Sequence, residues 1–329
     1  MRKFNTSGPN IVEEHYTLSR LNWIEKGKDL VYTNRYFTIW APRQTGKSTY
    51  FRLLADTLRE EGYKVCYVNF ESFKDGSLED FLLYLNDELS AQWHILFQSA
   101  TLNGIFRQIE NINDKKCVLI IDEVEGINPE YFNNVLHTIR KAYHSRQTHC
   151  LKSVVLVGVS NILGVIKDNA SPFNIDNASP FNIADNLNIP YFTNEETAEL
   201  LNQHERETGQ LFDPSVKNKI SYITANQPGL VNAFANELVT NYPKKAIIEY
   251  ADYLKVEDWF LTEAIDKNIS NIINKAEDVR PFVEMLLFQD VKIRFLINRE
   301  EIKTLFVNGV IAKDEDLMLR KSNSDRVEG

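Results

Sequence analysis

Residues 36–49 read YFTIWAPRQTGKST, an apolar run of five residues that leads into a loop ending in Gly-Lys-Ser-Thr. The sequence after the loop has apolar side chains at helical spacing, at Tyr50, Leu53, Leu54 and Leu58. A strand, a loop and a helix in this order are typical of a phosphate-binding loop, whose backbone amides surround a phosphate at the start of the helix. Ala41 stands where this pattern usually has its first glycine. We expect a small side chain to be tolerated there, because the chain turns away from the strand at that position.

The side chains of this loop predict a site for ATP and Mg²⁺. Gly46 leaves room for the phosphate, Lys47 neutralises the β and γ oxygens, and Ser48 supplies a hydroxyl to the magnesium ion. Arg43 and Gln44 occupy variable positions, and no role beyond the loop surface is predicted for either. The complete predicted nucleotide-binding loop comprises Ala41, Pro42, Arg43, Gln44, Thr45, Gly46, Lys47, Ser48 and Thr49.

Two carboxylates follow a second apolar run, in the sequence VLIIDE at residues 118–123. The apolar residues predict a buried strand, and ligands of open α/β sheets bind at the carboxyl ends of the strands. We expect Asp122 to hold magnesium, directly or through its water shell. Glu123 is placed to accept a proton from an attacking water molecule. Lys47 and Glu123 are therefore the predicted catalytic residues of an ATP hydrolase.

Two further pairs of residues carry open alternatives. Ser160 and Asn161 follow the predicted fourth strand, where either side chain would contact the γ-phosphate or the water, or else would cap the next helix. Arg140 and Arg146 follow the acidic pair, and they would act either as charge-stabilising fingers in a neighbouring subunit or as part of a solvated helix face.

Five short runs rich in β-branched and aromatic residues predict parallel strands separated by helices, which makes a doubly wound α/β sheet. They are residues 36–40, 64–70, 117–121, 154–159 and 187–192. A helix is expected before the first strand at 18–30, with Leu18, Leu21 and Ile24 on one face. The opening 15 residues read as an irregular lead-in.

A helical block is predicted after the fifth strand. Thr193 and Glu196 form a capping-box pattern that begins a helix running to about residue 207, and Gly209 ends this helix. Further helices are expected at 214–223 and 229–239, with a turn at 225–229 between them. This block is predicted to be a small domain that covers the nucleotide.

The end of the chain has the order of elements found in a winged helix. A helix containing Ile302, Leu305 and Phe306 is followed by a strand at 310–312 and a charged hairpin at 313–316. The tail at 320–329 is polar and is expected to be frayed. The predicted organisation is a lead-in segment and helix at 1–30, an ATPase core at 31–192, a helical lid at 193–255 and a winged-helix-like domain at 256–329.

Composition narrows the classes of function. The chain has 329 residues, 43% of them hydrophobic, and a net charge of -9. This negative charge disfavours broad binding to nucleic acid. No apolar run approaches the roughly 18 residues of a membrane span and no leader pattern opens the chain, so we expect a cytoplasmic protein without a membrane partner. Cys66, Cys117 and Cys150 lack metal-site spacing and are expected to be small buried side chains.

An eight-residue sequence, DNASPFNI, occurs twice in tandem, at 168–175 and 176–183. This copy is too short for a structural repeat of the solenoid kind. We expect a duplication tolerated in a surface loop, because lengthening a loop costs little entropy.

The sequence resembles the AAA-like ATPases of bacteria, near the STAND and origin-recognition branches. The segments that carry this resemblance are the loop APRQTGKST, the run LIIDEVE, the lead-in FNTSGP with His15 and Tyr16, SPFNI at 179–183, PYFT at 190–193 with Glu196, and NQPG at 226–229. The resemblance covers most of the chain. It implies an ATPase core, a helical lid and a winged helix, with slow turnover and a core-to-lid angle set by ATP or ADP. It also implies that Gly8 and Pro9 lie against the adenine and that the Pro228-Gly229 turn approaches the nucleotide. The doubled octapeptide and the early end of the chain after Ile311, before a final wing strand, depart from the family pattern.

Three functions are compatible with these features. The first is an ATP-hydrolysing switch that signals to another protein or through self-association, which Glu123 and the acidic composition favour. The second is an ATPase of the initiator or transposition-helper type that handles nucleic acid, which would need a basic face in the last 60 residues. The third, a small-molecule kinase, would want an arginine-rich lid, whereas the predicted lid offers Arg206 and little else.

Overall fold

A computed structural model describes residues 1–113, 116–158, 184–263, 277, 279–289, 293–296, 299–308, 310–313 and 319–321. The chain divides into two compact units. The sheet unit comprises Ser19–Ala41 and Tyr50–Ile189, and the helical unit comprises Met1–Leu18, Pro42–Thr49 and Pro190–Gly329. The phosphate-binding loop belongs to the helical unit, although the strand that precedes it belongs to the sheet unit.

The sheet unit contains five parallel strands in the order β2-β3-β4-β1-β5. Their bounds are Phe37–Trp40 (β1), Lys64–Asn69 (β2), Cys117–Asp122 (β3), Leu151–Gly158 (β4) and Asp185–Asn188 (β5). This sheet confirms the predicted α/β fold class of a P-loop core. Because all strands are parallel, the ends of β1 and β3 lie at the same edge of the sheet.

Helices cover both faces of this sheet. They are Leu21–Tyr32 (α1), Lys47–Glu60 (α2), Leu78–Trp93 (α3), Leu102–Glu110 (α4) and Pro129–Ser145 (α5). All six residues of β3 are buried, and they alternate between the two faces. Leu119 and Ile121 pack in a core with α3, α4 and α5, whereas Val118 and Ile120 pack with α1 and α2. The three cysteines are free and buried, as predicted.

Side-chain caps explain where three of these helices begin. Ser77 accepts a hydrogen bond from the amide of Asp80 at the start of α3, and Thr101 accepts one from Gly104 at the start of α4. Asn128 caps α5, which has proline at its first position. Each cap satisfies an amide that lacks a partner within the helix.

Two predictions about this unit were wrong in detail. The fifth strand is Asp185–Asn188 and not 187–192, because it pairs with β1 from Asp185 onward. It is an edge strand in which only Leu187 is buried, so it lacks the apolar run on which the prediction relied. Leu21 does not lie on the buried face of α1 but is 65% exposed, since the buried residues of this helix are Ile24, Gly27 and Val31.

The helical unit contains Asn194–Thr208 (α6), Pro214–Ile223 (α7), Pro228–Asn241 (α8) and Tyr250–Thr262 (α9). Both hydrogen bonds of the predicted capping box, between Thr193 and Glu196, are present, and Gly209 ends α6 with a left-handed φ of 76°. A parallel pair of two-residue strands, Leu211–Phe212 (β6) and Ile247–Ile248 (β7), was not predicted, because strands this short have no periodic pattern. Phe4 and Tyr16 of the lead-in are buried among these helices.

The last described elements are Arg280–Phe288 (α10), Glu300–Val307 (α11), Ile311–Lys313 (β8) and Leu319–Lys321 (β9). Phe282, Leu286, Ile302, Leu305 and Ile311 form their buried core. Arg320 and Lys321 belong to β9, which pairs antiparallel with β8. The prediction of a frayed tail was therefore wrong for these two residues. A strand of three residues is too short for its pattern to be recognised in a polar sequence.

Residues 159–183 lie outside the described part of the chain, and with them Ser160, Asn161 and the doubled octapeptide. None of the helices in the described ranges combines the length and the apolar character that crossing a bilayer requires.

His204 makes the stability of the helical unit depend on pH. It is buried, with Nδ1 3.2 Å from the Tyr16 hydroxyl and Nε2 3.0 Å from Oε1 of Gln210. The amide oxygen of Gln210 only accepts, so Nε2 carries the proton and Nδ1 accepts from Tyr16. Burial lowers the pKa of His204, which its hydrogen bond to Gln210 and the charges of Glu205 and Glu207 partly offset.

We expect the free energy of unfolding to fall as the pH drops from 7 to 5. The unfolded state takes up a proton near the ordinary histidine pKa of 6.5, whereas the folded state resists protonation until lower pH. His204→Gln should flatten this pH dependence, measured by denaturant unfolding at several pH values. The matched control, His137→Gln, removes an exposed histidine and should leave the dependence unchanged. Equal slopes for wild type and His204→Gln would refute the assignment.

Candidate functional site

The backbone of the phosphate-binding loop is left-handed at two residues, Gln44 with φ 60° and Gly46 with φ 84°. A Cβ atom added to Gly46 would meet no heavy atom within 4 Å, so glycine here serves the backbone conformation and leaves open space beside it. Ala41 has a negative φ and is fully buried in the core of the sheet unit. Alanine can therefore replace the usual first glycine without strain.

Buried hydrogen bonds hold the loop closed on itself. The carbonyl oxygen of Pro42 accepts from Oγ1 of Thr45 at 2.9 Å and from Nζ of Lys47 at 3.1 Å. Lys47 is 9% exposed and begins α2, and Ser48 and Thr49 follow it in the first turn. The first amides of a helix lack intrahelical partners and lie at the positive end of its dipole. The loop thus joins a buried ammonium group to a helix start, an arrangement suited to an anion.

The predicted Pro228-Gly229 turn contacts the loop backbone. The amide of Gly229 donates to the carbonyl oxygen of Gln44 at 3.1 Å, and Nε2 of Gln227 donates to the carbonyl oxygen of Arg43 at 3.5 Å. A Cβ atom on Gly229 would lie 2.8 Å from Cβ of Gln44, so no larger residue fits without a shift. Gln227 was missed from the sequence because glutamine has no characteristic place in the motif.

The lead-in also contacts the start of α2. Gly8 has a left-handed φ of 69°, and its carbonyl oxygen accepts from Nδ2 of Asn5 at 3.1 Å. Two residues later, the amide of Asn10 donates to Oγ1 of Thr49 at 3.1 Å. The structure therefore brings the lead-in containing Gly8 and Pro9 to the first turn of α2 through Asn10. No sequence pattern identifies Asn10 beyond its position directly after them.

Asp122 ends β3 in the sheet unit and is 4% exposed. Its Oδ2 accepts from the Tyr67 hydroxyl at 3.1 Å, and its Oδ1 accepts from the amide of Glu123 at 3.0 Å. The Tyr67 hydroxyl in turn accepts from Nδ2 of Asn69 at 3.2 Å. Burial raises the pKa of Tyr67 to about 12, so this group stays protonated and donates. These donors hold the Asp122 carboxylate in one orientation.

Glu123 has a left-handed backbone, with φ 51° and ψ 49°. A non-glycine residue pays about 1 to 2 kcal/mol for this conformation, and such strain concentrates at functional sites. A 3₁₀ turn, Val124–Gly126, follows at once. A Cβ atom on Gly126 would lie 2.2 Å from the carbonyl oxygen of Phe70, so this turn packs tightly against the end of β2. The packing of the turn fixes the backbone that carries Glu123.

A third carboxylate at this edge, Glu125, was not predicted. Its Oε2 lies 2.5 Å from the place that a Cβ atom on Gly158 would occupy, at the end of β4. Among the described residues, no cluster of three or more histidine, cysteine, aspartate or glutamate side chains forms a metal site. The guanidinium carbon of Arg146 lies 3.8 Å from the centre of the Tyr143 ring, and Nη1 of Arg146 donates to the carbonyl oxygen of Tyr143 at 2.8 Å. Both contacts are within the same chain.

The sequence profile of the AAA domain family matches residues 31–166, which contain both the loop and the acidic pair. Residues 31–166 are therefore similar to an AAA domain, which agrees with the resemblance to AAA-like P-loop ATPases that the sequence motifs indicated. No curated protein matches the sequence.

Solved structures share the fold of this chain at low sequence identity. The Walker-type ATPase PABY2304 of Pyrococcus abyssi has a TM-score of 0.67 and 15% identity over 97% of both chains. Cdc6p from Pyrobaculum aerophilum has a TM-score of 0.52 and 12% identity over 95% of this chain and 91% of its own. The Thermotoga maritima RuvB Holliday junction branch migration motor has a TM-score of 0.50 and 12% identity over 91% of both chains.

Proposed function

We propose that the protein is an Mg²⁺-dependent ATPase that acts as a nucleotide-controlled conformational switch. The observation that carries this proposal is the hydrogen bond from the Gly229 amide to the carbonyl oxygen of Gln44. It connects the first turn of α8 to a loop residue whose backbone is left-handed. A phosphate bound by the loop amides would act on the same short backbone segment. Nucleotide occupancy therefore has a direct route to α8.

The residues present fit ATP and magnesium. The P-loop amides and Lys47 suit the β- and γ-phosphates, and Ser48 and Asp122 offer the oxygen ligands that Mg²⁺ prefers. Within the sheet unit, β1, which precedes the loop in the chain, and β3, which Asp122 ends, are parallel strands. When bound, Mg²⁺ would neutralise charge on the phosphate oxygens. The proposal includes slow turnover, which the resemblance to AAA-like ATPases implied.

Glu123 is proposed as the base that accepts a proton from the attacking water. It is half-buried and follows Asp122 directly. Because its backbone is left-handed and not extended, its side chain does not follow the alternating directions of the side chains in β3. Asp122, which the hydrogen bonds from Tyr67 and from the Glu123 amide hold in place, is proposed to bind magnesium, and proton transfer is assigned to Glu123.

The partner is proposed to be another protein or a second copy of this chain, and the site of action to be the cytoplasm, where ATP is abundant and free cysteines stay reduced.

An alternative function is the handling of nucleic acid. The antiparallel pairing of β8 with β9 supports it, because a helix followed by such a pair of strands is the order of elements in a winged helix. Charge opposes it, since residues 256–329 contain 11 lysines and arginines against 15 acids, a net charge of -4. Titration of the full chain with duplex DNA at low and physiological salt separates the two functions.

Gly229→Ala tests the connection between the loop and α8. The added Cβ atom would displace Gln44 and with it the loop backbone, and we expect ATP affinity to fall about 10-fold, which corresponds to about 1.4 kcal/mol. In wild type, hydrogen exchange of residues 228–241 should differ between the ATP and ADP complexes, and Gly229→Ala should abolish this difference.

The matched control is the double variant Gln44→Gly and Gly229→Ala. Glycine at position 44 removes the side chain that the new Cβ atom would meet, and it adopts a φ of 60° without strain. Affinity and the exchange difference should both recover. Identical exchange of wild type with ATP and with ADP would rule out the switch and leave a plain ATPase.

A further inference from the structure

The hydroxyl of Thr49 differs from those of other helical threonines in this protein. Thr57, Thr138 and Thr262 each donate to the carbonyl oxygen four residues earlier, at 2.8, 2.8 and 2.7 Å. Thr49 instead accepts from the Asn10 amide at 3.1 Å. Among the described residues, no atom accepts a hydrogen bond from this hydroxyl. The Thr49 proton is thus left available to a ligand.

The direction of this proton follows from the geometry of the hydroxyl group. A threonine hydroxyl has one proton and two lone pairs, and the Asn10 amide occupies one of the lone pairs. Side chains of a helix lean toward its N-terminus, and Thr49 lies in the first turn of α2. Its oxygen therefore faces the positive end of the helix, where an anion is favoured.

The Asn10 side chain is held on both of its polar atoms. Its Nδ2 donates to the carbonyl oxygen of Tyr16 and to Oγ1 of Thr17, both at 3.1 Å, and its Oδ1 accepts from Nδ2 of Asn5 at 3.0 Å. Thr17 is bound in turn to Gln203 of α6 by two hydrogen bonds, at 3.1 and 3.0 Å. These bonds fix the position from which the Asn10 amide meets Thr49.

We propose that Asn10 is a positioning residue of the nucleotide site, which orients the Thr49 hydroxyl so that it donates to a phosphate oxygen of the bound nucleotide. Through Thr17 and Gln203, Asn10 also ties this hydroxyl to α6. The inference rests on the proposed function, because it requires a nucleotide in the P-loop. It adds a residue of the lead-in that touches no phosphate itself and acts through Thr49.

Calorimetric titration of the full chain with ATP and with ADP tests this role. Thr49→Val removes the hydroxyl at nearly constant shape and should weaken both nucleotides about 10-fold. Thr49→Ser keeps the hydroxyl and should stay within about 2-fold of wild type. Asn10→Ala should weaken binding about 3- to 5-fold, and adding it to Thr49→Val should cause no further loss. An equal loss from Asn10→Ala in both backgrounds would mean that Asn10 only stabilises the fold.

Two further variants keep the result interpretable. Asn10→Leu retains the size, adds no charge beside the phosphate and loses the side-chain hydrogen bonds, so it should reproduce the loss if Asn10→Ala does not fold. Asn241→Ala, which removes an exposed asparagine of α8, is the matched control and should bind as wild type does. If wild type binds ATP, Lys47→Ala weakens it and Thr49→Val does not, this inference alone is wrong. If wild type binds no nucleotide, the proposed function fails and the role of Asn10 fails with it.

Discussion

Replacement of Glu123 by glutamine is expected to lower ATP hydrolysis by roughly 10²- to 10⁴-fold, the range for loss of a general base. Glutamine keeps the shape of the side chain but cannot accept a proton from the attacking water. The affinity for ATP should hardly change, because Glu123 is proposed to act on the water and not on the nucleotide. Steady-state phosphate release, measured beside an ATP titration, gives both quantities.

Glu125→Gln is the matched control for this variant. Glu125 is the third carboxylate at the carboxyl edge of the sheet, packed against Gly158, and no proton transfer is assigned to it. We expect its replacement to change hydrolysis by less than about 10-fold. A larger loss from Glu125→Gln than from Glu123→Gln would transfer the role of base to Glu125. If wild type binds ATP but releases no phosphate, alone or with a partner, the protein is a nucleotide-gated binder.

The parts of the site that the sequence predicts are those encoded by contiguous residues. Residues 41–46 lie between a strand and a helix as expected, residues 47–49 begin that helix, and Asp122 ends a fully buried strand. Both predictions depend on local rules, namely apolar runs, glycine and charged residues at fixed spacing. The capping box at Thr193 belongs to the same class, because its partners are three residues apart.

The parts that the sequence did not predict depend on residues far apart in the chain. The amide of Asn10 donates a hydrogen bond to Thr49, which lies 39 residues later in the chain, and neither residue type by itself predicts this contact. Gly229 meets Gln44 in the same way, and only the position of a hypothetical Cβ atom shows why glycine is needed there. The edge strand β5 was misplaced because pairing with β1, and not apolar content, sets its register.

Replacement of Lys47 by alanine should weaken ATP binding by about 1.5 to 3 kcal/mol, the contribution of a charged hydrogen bond. This corresponds to roughly a 10- to 150-fold rise in the dissociation constant. Lys47 is buried against the carbonyl oxygen of Pro42, so its ammonium group is already held within the loop. Hydrolysis at subsaturating ATP should fall by at least the same factor. Lys47→Ala is thus expected to weaken ATP binding, whereas Glu123→Gln is expected to leave ATP affinity nearly unchanged.

The fold should survive this change, because Oγ1 of Thr45 still donates to the carbonyl oxygen of Pro42 when the lysine is gone. Thermal unfolding of the nucleotide-free variant checks this point. Arg43→Ala is the matched control, since Arg43 is an exposed cation of the same loop and its loss should change affinity only about 2-fold. If Lys47→Ala binds ATP as tightly as wild type, the phosphate-binding role of the loop is wrong. If Arg43→Ala weakens binding as much as Lys47→Ala does, the affinity comes from the net positive charge of the loop and not from the position of the buried ammonium group.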